Sequence, residues 1–289
     1  MGEAKAMGAI TVVNALASGK GATASVALPT IAKVQVKEGK EGWQVSLNGE
    51  RTRSALALTT VLLTIRMLRK NPDKYSGFIE TTTSAPVGVG LKTSSSSSVA
   101  IALATISAFG KSSFKASDIL DCSVSSSLVS GVSITGALDD AASCLLGGVN
   151  FTNNLTGRIL SSTKLRQPRL VVLKVPRGRS RRDSVNGGYV RRFSKMSESI
   201  FAIGKEGGIW KAMTLNGLLY SSIYGYHPAD AFDALEAGAE GAGLSGTGPA
   251  VAAVCRDKAS AKRVARLWED GEAKVIVTET TNGGAKIGI

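Results

Sequence analysis

The 289-residue sequence contains little cysteine, a single histidine and few aromatic residues. Its three cysteines, Cys122, Cys144 and Cys255, are odd in number and widely spaced, which argues against a disulfide framework or a zinc site and predicts a reducing compartment. The single histidine, His227, has no second histidine or nearby cysteine, so neither a metal site nor Ser-His-Asp catalysis is predicted there. Aromatic residues make up only 5% of the chain, so the stacking platforms usual in nucleic-acid binding are not evident.

Long apolar runs are also missing. No run reaches the roughly 20 residues that cross a bilayer, and the short apolar run near the N-terminus is interrupted by Asn14, so we expect neither a membrane span nor a signal peptide. With 43% hydrophobic and 20% charged residues, the chain can bury a sizeable core in one or two domains. These features predict a cytoplasmic globular protein without a membrane partner.

Positive charge is abundant. The 35 Lys and Arg residues exceed the 22 Asp and Glu residues and give a net charge of +13, which favours nucleic acid, an acidic surface, or small phosphates and carboxylates as partners. The densest basic cluster, residues 177–182, contains no aromatic residue, and its charge fits a solvated loop as well as an anion-facing one. We expect no nucleic-acid partner, although a basic nucleic-acid-binding protein remains an alternative.

The most informative stretch joins a predicted strand at residues 78–83 to a predicted buried helix at residues 99–106. Glycines, a lysine and hydroxyls follow one another there: Pro86, Val87, Gly88, Val89, Gly90, Leu91, Lys92, Thr93, Ser94, Ser95, Ser96. Glycines let backbone N–H groups point into a concavity, and a helix start adds partial positive charge, so phosphate is the expected ligand. A flexible serine-rich linker is the alternative, but linkers do not lead directly into buried helices. The glycine spacing is not that of the Walker A loop, so a P-loop NTPase is disfavoured.

Two acids begin a second informative segment, because Asp139 and Asp140 open an apolar helix that ends at Gly147 and Gly148. Carboxylates in a first helical turn either complement the helix dipole or act on a ligand. Neighbouring residues on a helix point about 100° apart, so we expect that the two acids cannot face one ligand equally.

Residues 86–96 resemble the second motif of the GHMP small-molecule kinases, and the lysine after Gly-Leu together with the long serine run is similar to the archaeal-type shikimate kinases within that superfamily. Three further segments carry the resemblance in the same order along the chain. They are residues 14–22, similar to the N-terminal motif of the archaeal-type enzymes; residues 134–148, similar to the element with the catalytic aspartate; and residues 246–249, similar to the third GHMP motif.

This resemblance implies an α+β GHMP kinase fold. It implies an N-terminal ATP-binding domain, residues 1–160, like ribosomal protein S5 domain 2, and a ferredoxin-like C-terminal domain, residues 161–289. The implied reaction transfers the γ-phosphoryl group of ATP to the 3-hydroxyl of shikimate, giving shikimate 3-phosphate for aromatic amino-acid biosynthesis. A sister kinase acting on homoserine or mevalonate is the alternative, and the loop at residues 14–22 argues against it.

The resemblance also implies roles for individual residues. Asp140, by its spacing to Gly147, matches the catalytic aspartate, and Lys20 is a second catalytic candidate, with an ordinary surface lysine as the alternative. The nucleotide would be bound by the whole run from Pro86 to Ser96. Acceptor binding is implied for Asn14, Lys20, Asp140, Gly246, Thr247 and Gly248.

The implied cofactors are ATP and Mg²⁺, with Ser95 as a metal ligand. Many GHMP kinases carry a magnesium-binding glutamate about three turns before the aspartate, but this sequence has no glutamate between Glu80 and Glu198. A serine, Asp118 or Asp121 would have to take its place.

Periodicity and punctuation predict the remaining elements. Strands are expected in an antiparallel first sheet at residues 10–13, 25–28, 31–36 and 43–47, and in a second sheet at residues 169–176 and 275–280. Helices are expected at residues 54–70, 185–206, 208–224 and 258–268, with a short one from residue 116 to 120 capped by Ser117.

Overall fold

The computed structural model describes residues 1–177, 185–269 and 271–288, and in this part of the chain it has α+β architecture with two sheets. The first sheet has eight strands: β1 (Gly2–Val13), β2 (Lys20–Glu38), β3 (Trp43–Leu47), β4 (Glu50–Thr52), β5 (Tyr75–Thr83), β6 (Val149–Asn153), β7 (Arg158–Thr163) and β12 (Lys286–Ile287). The second sheet has four: β8 (Leu170–Pro176), β9 (Gly241–Leu244), β10 (Val251–Cys255) and β11 (Ala273–Glu279).

The helices fall into two groups along the chain. Four belong to the first half: α1 (Ala55–Met67), α2 (Thr93–Ala108), α3 (Ala116–Val129) and α4 (Leu138–Leu146). Five of the described helices belong to the second half: α5 (Gly187–Arg191), α6 (Ser194–Lys205), α7 (Ile209–Tyr224), α8 (Ala229–Glu236) and α9 (Lys258–Trp268). None of the helices in these ranges is long and apolar enough to cross a membrane.

Strand β2 corrects one expectation about the first sheet. Residues 25–28 and 31–36 form parts of one 19-residue strand rather than two strands. Pro29 lies opposite Met7, beside the register shift between Met7 and Gly8, so the N–H that proline lacks falls where the ladder is already irregular.

The direction of β3 corrects another expectation. This strand runs parallel to β5, so the first sheet is mixed and not wholly antiparallel. Parallel neighbours need a crossover connection, and α1 lies in the segment that joins them. The helix begins where predicted, because the Ser54 hydroxyl accepts a hydrogen bond from the Ala57 N–H at 3.2 Å.

Helix α2 packs against β1 and β2 and is buried almost all round, with Val99, Ile101, Leu103 and Ile106 at most 1% exposed. Small residues on β1 allow the close approach, since a Cβ at position 2 would collide with the backbone oxygen of Ala104. This contact holds the last turns of α2 against the start of β1.

Three helix predictions were incomplete. The segment from residue 116 is the 14-residue α3, and it begins after Lys115 without the predicted Ser117 cap. Ser126 satisfies its hydroxyl within the helix, because its Oγ donates to the Cys122 carbonyl at 2.6 Å, whereas Ser123 hydrogen-bonds with Ser98 of α2 at 2.6 Å. The predicted helix at residues 185–206 is divided into α5 and α6, and α8 was not predicted.

The second sheet is antiparallel throughout and is covered by helices α7, α8 and α9. The predicted boundary between residues 160 and 161 falls inside β7, which pairs with β6 in the first sheet, and β12 returns from the C-terminus to pair with β1. We therefore propose a boundary between β7 and β8, with residues 286–287 completing the first sheet.

Candidate active site

A cleft of about 600 Å³ opens where the first sheet meets the second. Its walls come from the glycine loop (residues 86–91), the start of α2, the end of α3, the start of α4, and two loops near residues 14 and 246. The lining residues that carry polar side chains are Asn14, Lys92, Thr93, Ser94, Ser95, Ser127, Ser133, Thr135, Asp139, Asp140 and Thr247. The cleft therefore brings together residues from all four motif segments.

The glycine loop is held by alternate side chains and by the second sheet. Val89 and Leu91 are buried in the core, whereas Val87 and Gly88 line the mouth of the cleft. The Ser245 hydroxyl donates to the Gly90 carbonyl at 2.8 Å, which ties the loop to the end of β9. The loop is thus anchored to the core and to the second sheet.

The first turn of α2 faces the cleft. Lys92, the residue before the helix, has left-handed backbone angles with a φ of 60°, and its side chain makes no capping hydrogen bond. The first amides of a helix have no acceptor within the helix, so they are available to an anion. Thr93, Ser94 and Ser95 line the cleft beside them. This arrangement of amides, hydroxyls and a cation suits an anion such as phosphate.

Lys92 and Asp140 form the central ion pair of the cleft. Lys92 Nζ lies 3.1 Å from Asp140 Oδ1, and the two side chains are only 12% and 13% exposed. Apart from Lys92, Asp140 Oδ1 has no polar partner within the described residues.

Burial and charge act against each other in this pair. Burial raises the pKa of the Asp140 carboxyl to about 7, although attraction to Lys92 opposes the shift. Burial lowers the pKa of the Lys92 ammonium, but attraction to Asp140 and Asp139 outweighs it, so the net pKa of Lys92 is raised. Lys92 therefore stays cationic, whereas Asp140 can exchange a proton near neutral pH.

Asp139 occupies different surroundings, although it lines the same cleft. Its side chain is 4% exposed, and its Oδ1 accepts a hydrogen bond from Asn154 Nδ2 at 2.9 Å. The Asp139 carbonyl accepts from Thr23 Oγ1 at 2.8 Å, which anchors the start of α4 to β2. Adjacent positions on the helix thus give the two acids different partners.

Asn14 joins the two loops that close the opposite wall. Its side-chain Nδ2 donates to the Gly246 carbonyl at 3.0 Å, and its backbone N–H donates to Asn216 Oδ1 at 2.8 Å. Gly246 N–H donates in turn to Thr11 Oγ1 at 2.8 Å. Asn216 and Thr11 belong to none of the four motif segments, and no pattern in the sequence predicts that they hydrogen-bond to these loops.

Several predicted site residues lie outside the cleft lining. Lys20 Nζ lies 2.9 Å from Glu198 Oε1 in a surface ion pair. The Ser96 hydroxyl hydrogen-bonds with Thr30 at 2.7 Å and faces β2. Pro86, Val89, Leu91 and Gly248 are likewise absent from the lining, so their effect on a ligand is through the shape of the loops. In the basic cluster, residues 178–182 lie outside the described residues.

Oxygen ligands for a metal ion are few here. The part of the chain that the structure describes contains no group of three His, Cys, Asp or Glu side chains able to hold a metal. Asp118 and Asp121 do not line the cleft, but Ser95, Ser127 and Asp140 do. Such a set suits a cation that is held mainly by the phosphates of its ligand.

Gly90 offers a test of the loop. Its φ is 95°, and a Cβ there would collide with the Ser245 carbonyl oxygen. Gly90→Ala is therefore expected to lower the free energy of unfolding by roughly 2 kcal/mol or more, measured by urea denaturation. The matched control is Gly88→Ala, because Gly88 also has a positive φ, 76°, but has no atom within 4 Å of a Cβ. Equal losses in both variants would show that the Ser245 contact does not hold the loop.

Comparison with known proteins gives matches over both halves of the chain. Residues 55–148 match the family model of the GHMP kinases N terminal domain, and residues 204–271 match that of the GHMP kinases C terminal domain. A shikimate kinase from Methanothrix thermoacetophila is 36% identical over 288 residues, covering 99% of this chain and 96% of that protein. A shikimate kinase from Pyrococcus furiosus is 32% identical and covers 96% and 99%.

Solved structures with the same architecture include two other kinases. Homoserine kinase from Cytophaga hutchinsonii has a TM-score of 0.73 and 18% identity, covering 99% of this chain and 97% of that one. Mevalonate kinase from Methanococcus jannaschii has a TM-score of 0.73 and 12% identity, covering 96% and 98%. At these identities the likeness concerns the fold alone.

Proposed function

The chain belongs to the GHMP kinases, and from this premise we propose that it is a shikimate kinase, which transfers the γ-phosphoryl group of ATP to the 3-hydroxyl of shikimate. The predicted GHMP fold and the predicted ATP-dependent small-molecule kinase activity are confirmed. The observation that carries the choice of acceptor is identity of 31% to 36% to archaeal shikimate kinases over nearly the whole chain. The homoserine and mevalonate kinases share only the fold, at 18% and 12% identity.

The ATP phosphates are proposed to bind at the start of α2. Backbone amides of the first turn, the hydroxyls of Thr93 to Ser95 and the Lys92 ammonium would together meet the phosphate oxygens. Phosphoryl transfer requires mainly positioning and charge neutralisation, which such a site supplies. Mg²⁺ carried by the phosphates would add charge neutralisation, with Ser95, Ser127 or Asp140 as protein ligands.

Asp140 is proposed to act on the acceptor. The 3-hydroxyl oxygen attacks the γ-phosphorus, the bond from that phosphorus to the bridging oxygen of ADP breaks, and the hydroxyl proton passes to the Asp140 carboxylate. A general base works best when its pKa lies near the working pH, and burial brings Asp140 to about 7. Lys92, 3.1 Å away, would hold the carboxylate in place and stabilise charge on the transferred group.

Substrate choice tests the proposed function directly. ADP release should be measured with ATP, Mg²⁺ and each of shikimate, homoserine and mevalonate under matched conditions. We expect kcat/KM for shikimate to exceed the other two by roughly 100-fold or more, since each missing polar contact in a kinase site costs about tenfold or more. Faster turnover of homoserine or mevalonate would assign the chain to a sister kinase.

The pH dependence of turnover follows from the Asp140 carboxyl. A carboxyl with its pKa raised to about 7 is protonated below that pH and then cannot accept the hydroxyl proton. We therefore expect kcat with saturating shikimate to rise with pH through about 7 and to fall about tenfold per pH unit well below it. A flat profile between about pH 5 and 8 would contradict a general-base role for this residue.

A further inference from the structure

Asp139 is a cleft-lining acid that the proposed reaction does not use. Its side chain is 96% buried. Within the ranges that the structure describes, no Lys, Arg or His nitrogen lies within 4 Å of its carboxylate, and the nearby Lys92 pairs with Asp140 instead. Burying a carboxylate away from water is costly unless hydrogen bonds replace the lost hydration. The position of Asp139 therefore needs an explanation beyond packing.

The orientation of the Asp139 carboxylate is fixed by a series of hydrogen bonds from side chains of β6 and of the turn that follows it. Thr152 Oγ1 donates to Asn154 Oδ1 at 2.7 Å, which leaves the Asn154 amide nitrogen facing Asp139. Asn154 Nδ2 then donates to Asp139 Oδ1 at 2.9 Å. One carboxylate oxygen is thus satisfied by a half-buried, oriented donor.

The other oxygen, Oδ2, has no hydrogen-bond donor among the residues described. It lies in the space above Gly21, where a Cβ would collide with it. The glycine of the N-terminal motif is therefore required at this position because the Asp139 carboxylate fills the room that a side chain would take. Asp139 presents a half-satisfied carboxylate to a cleft that also contains Asp140.

We propose that Asp139 Oδ2 accepts a hydrogen bond from the hydroxyl next to the one that is phosphorylated, so that Asp139 selects acceptors with neighbouring hydroxyls. The inference rests on the proposed function, in which the acceptor is shikimate. A hydroxyl suits this oxygen better than an ammonium group does, because the nearby Lys92 cation repels a second positive charge. Asp140 would then act on the reacting hydroxyl and Asp139 on its neighbour.

A cycle of two enzymes and two acceptors tests the proposal. Wild type and Asp139→Ala are assayed with shikimate and with 4-deoxyshikimate, which keeps the reacting 3-hydroxyl. For wild type, loss of the 4-hydroxyl is expected to lower kcat/KM by about 10- to 100-fold, the usual effect of a hydrogen bond to a charged group. Asp139→Ala should lower kcat/KM for shikimate by a similar factor, mainly through a higher KM, and should treat the two acceptors alike.

Gly21→Ala provides a second variant that keeps the carboxylate but displaces it. It is expected to raise KM for shikimate and to lose discrimination between the two acceptors, while ATP affinity stays unchanged. Gly187→Ala is the matched control, because a Cβ there meets no atom within 4 Å. Asp140→Asn should turn over both acceptors slowly and still prefer shikimate.

The outcomes separate this inference from the proposed function. Undiminished discrimination in Asp139→Ala and in Gly21→Ala would overturn the inference while leaving shikimate as the acceptor. Failure of wild type to phosphorylate shikimate, with homoserine or mevalonate turned over instead, would overturn the proposed function and this inference with it. If Asp139→Ala does not fold, the same comparison in Gly21→Ala decides.

Discussion

Replacing Asp140 by asparagine is expected to lower kcat with shikimate by roughly 10²-fold or more, as loss of a general base usually does. Asparagine has the same shape but cannot take up the hydroxyl proton. Because Lys92 and the first turn of α2 remain in place, the dissociation constant for ATP should change by less than about threefold. Steady-state kinetics and calorimetric titration with ATP measure the two quantities.

The neighbouring acid provides the control for this experiment. Asp139→Asn removes a charge from the same helical turn, so a general electrostatic effect would appear in both variants. We expect its kcat to stay within about tenfold of wild type, with the larger change in KM for shikimate. A large loss of kcat in Asp139→Asn with little loss in Asp140→Asn would make Asp139 the base. The assignment of Asp140 from its spacing to Gly147 would then be wrong by one residue.

How much of the site can be predicted from sequence depends on the range of the interactions. The glycine loop, Lys92 and the start of α2 are predictable because a glycine run before an apolar helix is a local pattern. The pairing of Lys92 with Asp140 joins residues 48 positions apart, and only the packing of α2 against α4 brings them together. The displacement of Lys20 toward Glu198 depends in the same way on α6, a distant element.

The fold shows the same division. The strand at residues 169–176 and the start of a helix at Ser54 follow from local sequence, and the structure confirms both. Joining residues 25–28 and 31–36 into one strand across Pro29 requires the irregular register of β1 opposite, which no local pattern encodes. The parallel pairing of β3 with β5 is likewise a property of chain topology.

Removing the cation of the central pair is expected to have the largest effect of all. Lys92→Met keeps most of the buried volume but removes the charge that would meet the phosphates, and we expect kcat/KM to fall by about 10³-fold, at the upper end of what one electrostatic group contributes. The buried Asp140 carboxyl also loses its counter-charge. Breaking one partner of a buried pair typically costs about 3 kcal/mol or more of the free energy of unfolding.

The stability loss in Lys92→Met should depend on pH in a direction that burial fixes. Without Lys92 the pKa of Asp140 rises further above its value in the unfolded chain, so the folded state binds the proton more tightly than the unfolded state does. Such a group stabilises the fold at low pH, and this contribution is lost as pH rises through the folded-state pKa. Denaturant unfolding should therefore show a small loss in the free energy of unfolding, relative to wild type, near about pH 5 and a large loss near about pH 8.

The double variant Lys92→Met/Asp140→Asn should recover most of the stability at the higher pH and none of the activity, because an amide needs no counter-charge but cannot neutralise phosphate. A deficit independent of pH, or a double variant no more stable than Lys92→Met, would show that the buried Asp140 charge is not the source of the loss.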